Sequence, residues 1–320
     1  MARLRRSLPQ LHGGELFLTD GGMETTLIFL EGHTLPEFAA FDLMRRPEGE
    51  TILRRYYETY MRLAGRFGTG LILESATWRA NADWGAKLGY GPKELAAVNR
   101  RAIGLLEELR DEARGDTDRI VISGCIGPRG DGYLVGSTMT EEEAERYHAP
   151  QVRTLEDTAA DLVAAFTINY VEEAVGIARA AERVDLPVVI SFTVETDGRL
   201  PSGQTLRAAV EHVDAATSCY PAYYMINCAH PAHFDHVLAD EVAWNERIRG
   251  LRANASRKSH AELNESAELD SGDPADLGAR YAGLKRRMPH LNVMGGCCGT
   301  DHRHVEQIAV ACLPFFSQGR

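Results

Sequence analysis

The stretch Met294-Gly295-Gly296-Cys297-Cys298-Gly299-Thr300 lies near the end of this chain of 320 residues and sets two adjacent cysteines between glycines. Neighbouring cysteines are badly placed to form a disulfide with each other. The flanking glycines leave the backbone free to bend, so that both sulfurs can be aimed at one point. Two converging thiolates favour a metal ion and call for at least one further soft ligand.

Cys228 is the candidate for the third ligand. It directly follows the apolar run 222–227, and the cysteine pair follows a second such run at 291–294. All three sulfurs are therefore expected where strands end. Three protein ligands and one open position are typical of catalytic zinc, whereas four protein ligands are typical of structural zinc. The other cysteines are expected to be buried apolar residues: Cys125, Cys219 and Cys312.

Short apolar runs alternate with longer segments of helical pattern along the whole chain. The predicted strands are Glu15–Thr19, Gly70–Leu73, Arg119–Ser123, Leu162–Thr167, Pro187–Phe192, Ala222–Asn227, Ile248–Ala253 and Leu291–Met294. The predicted helices are Glu48–Gly65, Pro92–Glu112, Thr140–Leu155, Val171–Ala181, Thr205–Thr217, Pro231–Leu238, Pro274–Arg287 and His302–Leu313. Eight strand-helix units predict the α/β class and a single (β/α)8 TIM barrel, as one domain over residues 1–320.

A doubly wound open sheet is the competing arrangement for the same alternation. The turn after the first predicted strand reads Asp20-Gly21-Gly22-Met23 and lacks the Gly-x-Gly-x-x-Gly spacing. The sequence therefore gives no reason to expect a dinucleotide site. In a barrel, the chemistry lies at the carboxyl ends of the strands. The candidate site residues on that rule are Asp20, Gly21, Gly22, Glu24, Glu74, Thr77, Trp78, Gly127, Pro128, Arg129, Asn169, Glu195, Cys228, Asn254, Cys297 and Cys298.

The charge and hydropathy of the chain exclude several classes of function. A net charge of −11 argues against a nucleic-acid partner, which requires a basic face. No segment approaches the roughly 18 uninterrupted apolar residues of a membrane span. The basic start is followed by Pro9, Gln10 and His12 instead of an apolar core, so a secretory signal is not expected. We expect a cytoplasmic protein whose cysteines stay reduced.

The motifs Asp20-Gly21-Gly22, Ile226-Asn227-Cys228 and Gly295-Gly296-Cys297-Cys298-Gly299-Thr300, in this order, resemble the homocysteine S-methyltransferase family. The resemblance implies a zinc ion (Zn2+) bound by the three cysteines, with an open position for a substrate thiol. It also implies that the Asp20 segment lines an amino-acid pocket and that Asn227 adjoins the substrate. No catalytic residue is expected beyond the metal-activated substrate thiolate.

This sequence departs from the family at one position. Members of the family carry a glutamate after the fourth strand that holds the substrate ammonium, whereas Phe166 or Thr167 stands there in this chain. Glu74 or Glu195 is expected to take over the ammonium. Glu74 is preferred because Trp78 follows it, and an aromatic ring suits the methyl groups of a cationic donor.

Three functions remain open at this point. The first is methyl transfer to homocysteine, giving methionine, and the second is the same transfer to another small thiol or selenol. The third is a non-catalytic zinc-binding barrel. S-methylmethionine and S-adenosylmethionine are the expected donors, with betaine less favoured. The expected partners are therefore the small-molecule thiol acceptor and the methyl donor, with neither nucleic acid nor membrane, and the expected assembly is a monomer or homodimer.

Smaller expectations concern aromatic residues, histidines and long connections. Trp78, Trp84 and Tyr133 are candidates for a donor pocket by cation–π contact, with plain packing as the alternative. His302 and His304 are expected at a helix cap or on the surface. The long connection 24–47 is a candidate cover for the barrel mouth, whereas 254–273 is a polar, acidic loop.

Overall fold

The computed structural model describes residues 2–12, 14–113, 119–238, 243–266 and 268–316. Eight parallel strands follow one another around a closed barrel, and the last pairs with the first. The predicted (β/α)8 fold is confirmed. The predicted domain 1–320 includes Met1 and residues 317–320, which lie outside the described residues. The strands are β1 (Phe17–Leu18), β2 (Gly70–Glu74), β3 (Ile120–Ile126), β4 (Leu162–Ile168), β5 (Val188–Phe192), β6 (Tyr223–Asn227), β7 (Ile248–Ala253) and β8 (Val293–Gly296).

The helices between the strands lie close to the predicted bounds, and two coincide with them, at 92–112 and 274–287. They are α1 (Met23–Thr25), α2 (Gly49–Phe67), α3 (Ala82–Lys87), α4 (Pro92–Glu112), α5 (Glu141–Glu156), α6 (Val171–Glu182), α7 (Leu206–Ala216), α8 (Pro231–Phe234), α9 (His260–Asn264), α10 (Pro274–Arg287) and α11 (His302–Cys312). A π-helical segment, Thr26–Leu30, continues α1, and a 3-10 turn, Asp235–Leu238, continues α8. The capping box of Thr140 with Glu143 explains the acids that open α5.

The barrel interior is apolar over its lower and middle part and polar at its upper rim. Ile72, Ala164 and Met225 belong to the buried cluster that fills the interior. Because successive strand side chains alternate between faces, the residues two positions further along point inward as well. These residues are Glu74, Phe166 and Asn227, and Arg252 follows Gly250 in the same register. The inner surface therefore becomes polar at the carboxyl ends of the strands.

The N-terminal segment closes the opposite end of the barrel. Leu8 packs into the interior cluster, with Leu4 and Leu11 beside it. Asp161, which is fully buried, accepts hydrogen bonds from the backbone N–H groups of Arg3 and Leu4 at 2.9 and 2.8 Å. This arrangement leaves the carboxyl ends of the strands as the open face.

Two details differ from the sequence prediction. Strand β3 continues to Ile126, three residues beyond the predicted end, and this extension brings Cys125 into the barrel interior. The predicted burial of Cys125 and Cys312 is confirmed, but it is wrong for Cys219, which is exposed in the turn after α7. Within the described residues, no helix combines the length and apolar character that a bilayer span requires.

Two glycines of α10 provide a matched test of the packing between α10 and α11. A Cβ atom at Gly278 would lie 2.6 Å from the carbonyl oxygen of Gln307, whereas one at Gly283 would meet nothing within 4 Å. We expect Gly278→Ala to lower the free energy of unfolding by about 1–3 kcal/mol through overpacking. Gly283→Ala should raise it by about 0.5–1 kcal/mol because alanine favours the helix. Chemical denaturation measures both changes, and equal effects would contradict the packing.

Candidate functional site

A cavity of about 460 Å³ opens at the carboxyl ends of the strands. It is the place where a (β/α)8 barrel carries its chemistry. The predicted site residues that line it are Asp20, Gly21, Gly22, Glu24, Glu74, Trp78, Asn227, Cys228, Asn254, Cys297 and Cys298. Strands from all sides of the barrel therefore contribute to one site.

Several predicted site residues do not line the cavity: Thr77, Trp84, Gly127, Pro128, Arg129, Asn169 and Glu195. Thr77 is buried beneath the cavity wall, where its hydroxyl donates to the carbonyl oxygen of Cys125 at 2.7 Å. Glu195 stands behind the wall and faces His260 at 3.2 Å, so it does not reach the cavity to hold an ammonium. Trp84 packs between Arg79 and Lys87 outside the cavity, so it does not belong to a donor pocket.

The sulfurs of Cys228, Cys297 and Cys298 lie within 4.8 Å of one another at the wall of this cavity. Strand β7 acts as the template, because the backbone N–H of Cys228 donates to Arg252 and that of Cys297 to Ala253, at 3.1 and 2.8 Å. A tetrahedral ion with zinc–sulfur bonds of about 2.3 Å requires sulfurs roughly 3.8 Å apart. Sulfurs grouped this closely can converge on one metal ion of this kind when all three are thiolates.

Cys228 and Cys297 are joined as a disulfide in the structure, which differs from the expected set of three free thiols. Cys298 remains free. Because metal ligation requires thiolates, the bonded pair is the oxidised form of the site, and reduction releases both sulfurs for a metal. As predicted, the adjacent cysteines do not pair with each other.

The glycines around the sulfurs are required by close packing more than by flexibility. A Cβ atom at Gly22 would lie 2.5 Å from the carbonyl oxygen of Cys297. Gly299 follows the cysteine pair with a φ of +78°, a left-handed conformation that glycine adopts without strain. The first strand and the cysteine turn can therefore approach closely enough to share one cavity wall.

Two residues without glycine's freedom adopt left-handed backbone at the site. Thr167 and Cys228 have φ of 62° and 53°, and a β-branched residue in this region is an outlier. Asn227 holds the Thr167 backbone by accepting from its N–H at 2.9 Å and donating to its hydroxyl at 2.8 Å. The Thr167 hydroxyl in turn lies 3.8 Å from the Cys228 sulfur. Strain of this kind persists where the surroundings fix it, and it is concentrated at functional sites.

The carbonyl group of Cys228 is held from behind by two side chains. The Asn254 amide donates to it at 3.0 Å, and His260 Nε2 lies 2.6 Å from it. The ring of His260 packs on Tyr133 with ring centroids 4.3 Å apart, and the Tyr133 hydroxyl lies 3.5 Å from the Cys298 sulfur. The cysteines are therefore positioned by a connected set of neighbours.

The floor of the cavity carries an ion pair. Arg252 Nη2 lies 2.6 Å from Asp20 Oδ1, and both side chains are at least nine-tenths buried. The Tyr56 hydroxyl donates to the other Asp20 oxygen at 2.9 Å. Although Arg252 and Tyr56 favour the carboxylate, burial dominates and raises the pKa of Asp20. The charge of Asp20 is therefore already matched within the protein.

Two further acids face the cavity without an equivalent partner. Burial raises the pKa of Glu24 and that of Glu74 to about 7 each, opposed in part by nearby arginines. One carboxyl oxygen of Glu74, Oε2, is buried and makes no hydrogen bond with a described residue. A buried carboxylate oxygen without a partner is costly, so a cationic ligand would be stabilised here.

The model of a protein family described as "Homocysteine S-methyltransferase" matches residues 17–312 of this chain. The chain belongs to this family. The predicted methyltransferase class is thereby confirmed over the alternative of a non-catalytic barrel. The family is one of methyltransferases. The cavity lined by Asp20, Cys228, Cys297 and Cys298 is therefore the candidate active site.

Curated relatives agree with this membership. Homocysteine S-methyltransferase YbgG of Bacillus subtilis is 24% identical over 92% of this chain and 93% of its own length. Homocysteine S-methyltransferase 1 of Arabidopsis thaliana is 21% identical over 92% of this chain and 93% of its own length. Betaine–homocysteine S-methyltransferase 1 of Rattus norvegicus is 24% identical over 97% of this chain and 75% of its own length.

A solved structure shares the fold. The metallated form of the homocysteine methyltransferase MmuM from Escherichia coli superposes with a TM-score of 0.74 at 20% identity. The match covers 96% of this chain and 99% of that one.

Several residues of the site were not predicted from the sequence. Arg252 lies near the end of β7, and a charge at an inward position of a barrel strand was the signal that could have revealed it. Thr167 was placed inside a plain strand, whereas the pairing of β4 with β5 shifts register between Ala165 and Ile168. His260 lies in the loop 254–273, where nothing in the local pattern points to the cavity. His304, by contrast, caps α11 through the Asp301 N–H, as expected.

The ionisation of Glu74 should affect stability. Its folded pKa of about 7 lies above the ordinary value of 4.5, so its favourable contribution is complete below pH 4.5 and is lost as the pH rises through 7. Glu74→Gln places a group that does not ionise at this position, so the variant does not lose stability as this carboxyl becomes charged. Between pH 5 and pH 9, we expect the metal-free, reduced variant to gain on the order of 3 kcal/mol in unfolding free energy relative to the unsubstituted protein. A difference that does not change with pH in chemical denaturation would contradict the burial of this carboxyl.

Proposed function

We propose that this methyltransferase transfers a methyl group from a sulfonium or quaternary ammonium donor to the thiol of homocysteine, giving methionine, with zinc bound by Cys228, Cys297 and Cys298. The observation that carries the proposal is the convergence of three sulfurs within 4.8 Å on the wall of the cavity. The names of the relatives, all of which contain homocysteine, support the acceptor.

Bound zinc would supply the ionisation of the acceptor thiol at neutral pH, because a coordinating thiol loses its proton. Burial raises the pKa of the Tyr133 hydroxyl, which lies 3.5 Å from the Cys298 sulfur, so this hydroxyl stays protonated at neutral pH. The acceptor sulfur forms the new S–C bond as the methyl leaves the donor heteroatom, which keeps the electron pair of the broken bond. No covalent enzyme intermediate is needed.

The remaining residues orient the two substrates. Glu74 faces the cavity with an unpaired oxygen and is suited to the acceptor ammonium. Trp78 and Tyr133 line the same cavity and offer aromatic faces to the cationic donor. Holding both substrates in one enclosed site converts a bimolecular reaction into a nearly unimolecular one. S-methylmethionine and S-adenosylmethionine are the donors we propose, in a reducing compartment such as the cytoplasm, where the cysteines remain thiols.

A second acceptor class is favoured by one observation. Phe166 faces the cavity from β4, where the resemblance places an acid that holds the substrate ammonium. A small thiol or selenol without homocysteine's ammonium would tolerate this ring. Glu74 is the feature that favours homocysteine over such an acceptor.

Removing one sulfur tests the metal and the activity together. We expect Cys298→Ala to lower the zinc content of the reduced protein and to abolish methylation of homocysteine, because two sulfurs no longer complete the site. Cys219→Ala is the matched control, since Cys219 is exposed and lies outside the cavity. Zinc is measured by mass spectrometry of the metal, and product by the mass of the methylated thiol.

Two results would contradict the proposal. In the first, Cys298→Ala retains full zinc and full turnover, which would remove Cys298 from the site. In the second, zinc binds the unsubstituted protein but no donor methylates homocysteine, which would remove this acceptor.

A further inference from the structure

Arg252 has a chemical role that the proposed metal site does not explain. It is the arginine of the cavity floor, at the inward-facing end of β7, and only 8% of it is exposed. Placing a guanidinium in a barrel interior is costly unless its charge is matched. Asp20 balances the charge of Arg252, but both side chains also line the cavity in which a substrate would bind.

The protein holds the guanidinium along the edge that carries Nε and Nη2. Its Nε donates to the carbonyl oxygen of Gly296 at 3.0 Å, and its Nη2 donates to that of Gly21 at 3.0 Å and faces Asp20 at 2.6 Å. The third nitrogen, Nη1, makes no hydrogen bond with any described residue. The ring of Phe166 lies beside the group, with its centroid 5.0 Å from the central carbon of the guanidinium. The two N–H groups of Nη1 are therefore left to donate hydrogen bonds to a ligand.

The neighbouring charges indicate which charged groups that ligand carries. Glu74 faces the same cavity from β2, near enough for the charge of Arg252 to lower the pKa of its carboxyl, yet the two groups form no direct ion pair among the described residues. A cation held at Glu74 and an anion held at Arg252 would together be an α-amino acid in its zwitterionic form. Guanidinium groups bind carboxylates with strong, charge-assisted hydrogen bonds.

We propose that Arg252 is a specificity-determining residue that binds the α-carboxylate of the thiol acceptor through its free Nη1. Phe166 supports the plane of the guanidinium, and Asp20 keeps it ionised and oriented. This inference rests on the proposed function for the identity of the acceptor sulfur, but its test does not require turnover.

Three thiols of equal chain length separate the two charges. Homocysteine carries both groups, 3-aminopropane-1-thiol lacks the carboxylate, and 4-mercaptobutanoate lacks the ammonium. Because each offers the same thiol to the metal, the ratio of their dissociation constants isolates the charged groups. Calorimetric titration of the reduced, zinc-loaded protein measures these constants, and turnover with S-methylmethionine is recorded in parallel.

We expect homocysteine to bind about 10- to 100-fold more tightly than 3-aminopropane-1-thiol. Arg252→Met should reduce this ratio to below about threefold and leave the ratio of homocysteine to 4-mercaptobutanoate unchanged. Arg249→Met is the matched control, because Arg249 lies on the same strand at the other end of the barrel and lines a different cavity. It should retain the full ratio.

Arg252→Met leaves Asp20 buried without its partner, so a second variant guards against loss of the fold. Asp20→Asn/Arg252→Met removes both charges together, which is better tolerated than removing one. The same loss of the ratio is expected in the double variant. Circular dichroism checks that each variant is folded.

Two outcomes would overturn the role of Arg252. The first is equal binding of all three thiols by the unsubstituted protein, and the second is a ratio to 3-aminopropane-1-thiol that survives both substitutions. If the ratio behaves as expected but no methylated thiol forms, the methyl-transfer proposal fails while the role of Arg252 stands. If homocysteine is methylated but the ratio survives both substitutions, the role of Arg252 fails while the methyl-transfer proposal stands.

Discussion

The convergence of three sulfurs above one strand is the constraint on which the upper half of this barrel depends. Cys228 follows β6 and Cys297 follows β8, and both backbones donate to β7 between them. This arrangement requires a left-handed residue at Cys228, glycine at the closest approach, and a polar clamp from Asn227. The strain at these positions is stabilised by the surrounding hydrogen bonds, so the backbone that carries the sulfurs is fixed by the protein itself.

The floor beneath the sulfurs is organised by charge. Asp20 forms an ion pair with Arg252 at the barrel rim, whereas Glu74 keeps one buried oxygen without a hydrogen bond or an ion pair among the described residues. The cavity thus combines three sulfurs on its wall, charged side chains on its floor, and the aromatic rings of Trp78 and Tyr133. Each part comes from different strands, which explains why the closed barrel is needed to assemble them.

The fold and the convergence of the three sulfurs were predictable because they depend on local pattern. Alternating apolar runs defined eight strands, and the Cys297–Cys298 turn with Cys228 marked two strand ends on either side of β7. The charged floor was not predictable in this way. Whether Glu195 or Glu74 reaches the cavity depends on strand register and loop path, and the loop carrying His260 folds over the site through contacts distant in sequence. Cys219 was misplaced because an apolar residue type does not determine burial in a turn.

The central claim is that the three cysteines hold a zinc ion with one position left for the acceptor sulfur. X-ray absorption at the zinc edge of the reduced, zinc-loaded protein tests it directly, because sulfur and lighter ligands are distinguished by bond length. We expect three sulfur neighbours and one lighter neighbour without substrate, and four sulfur neighbours after homocysteine is added. A sulfur count that does not rise when homocysteine binds would contradict it.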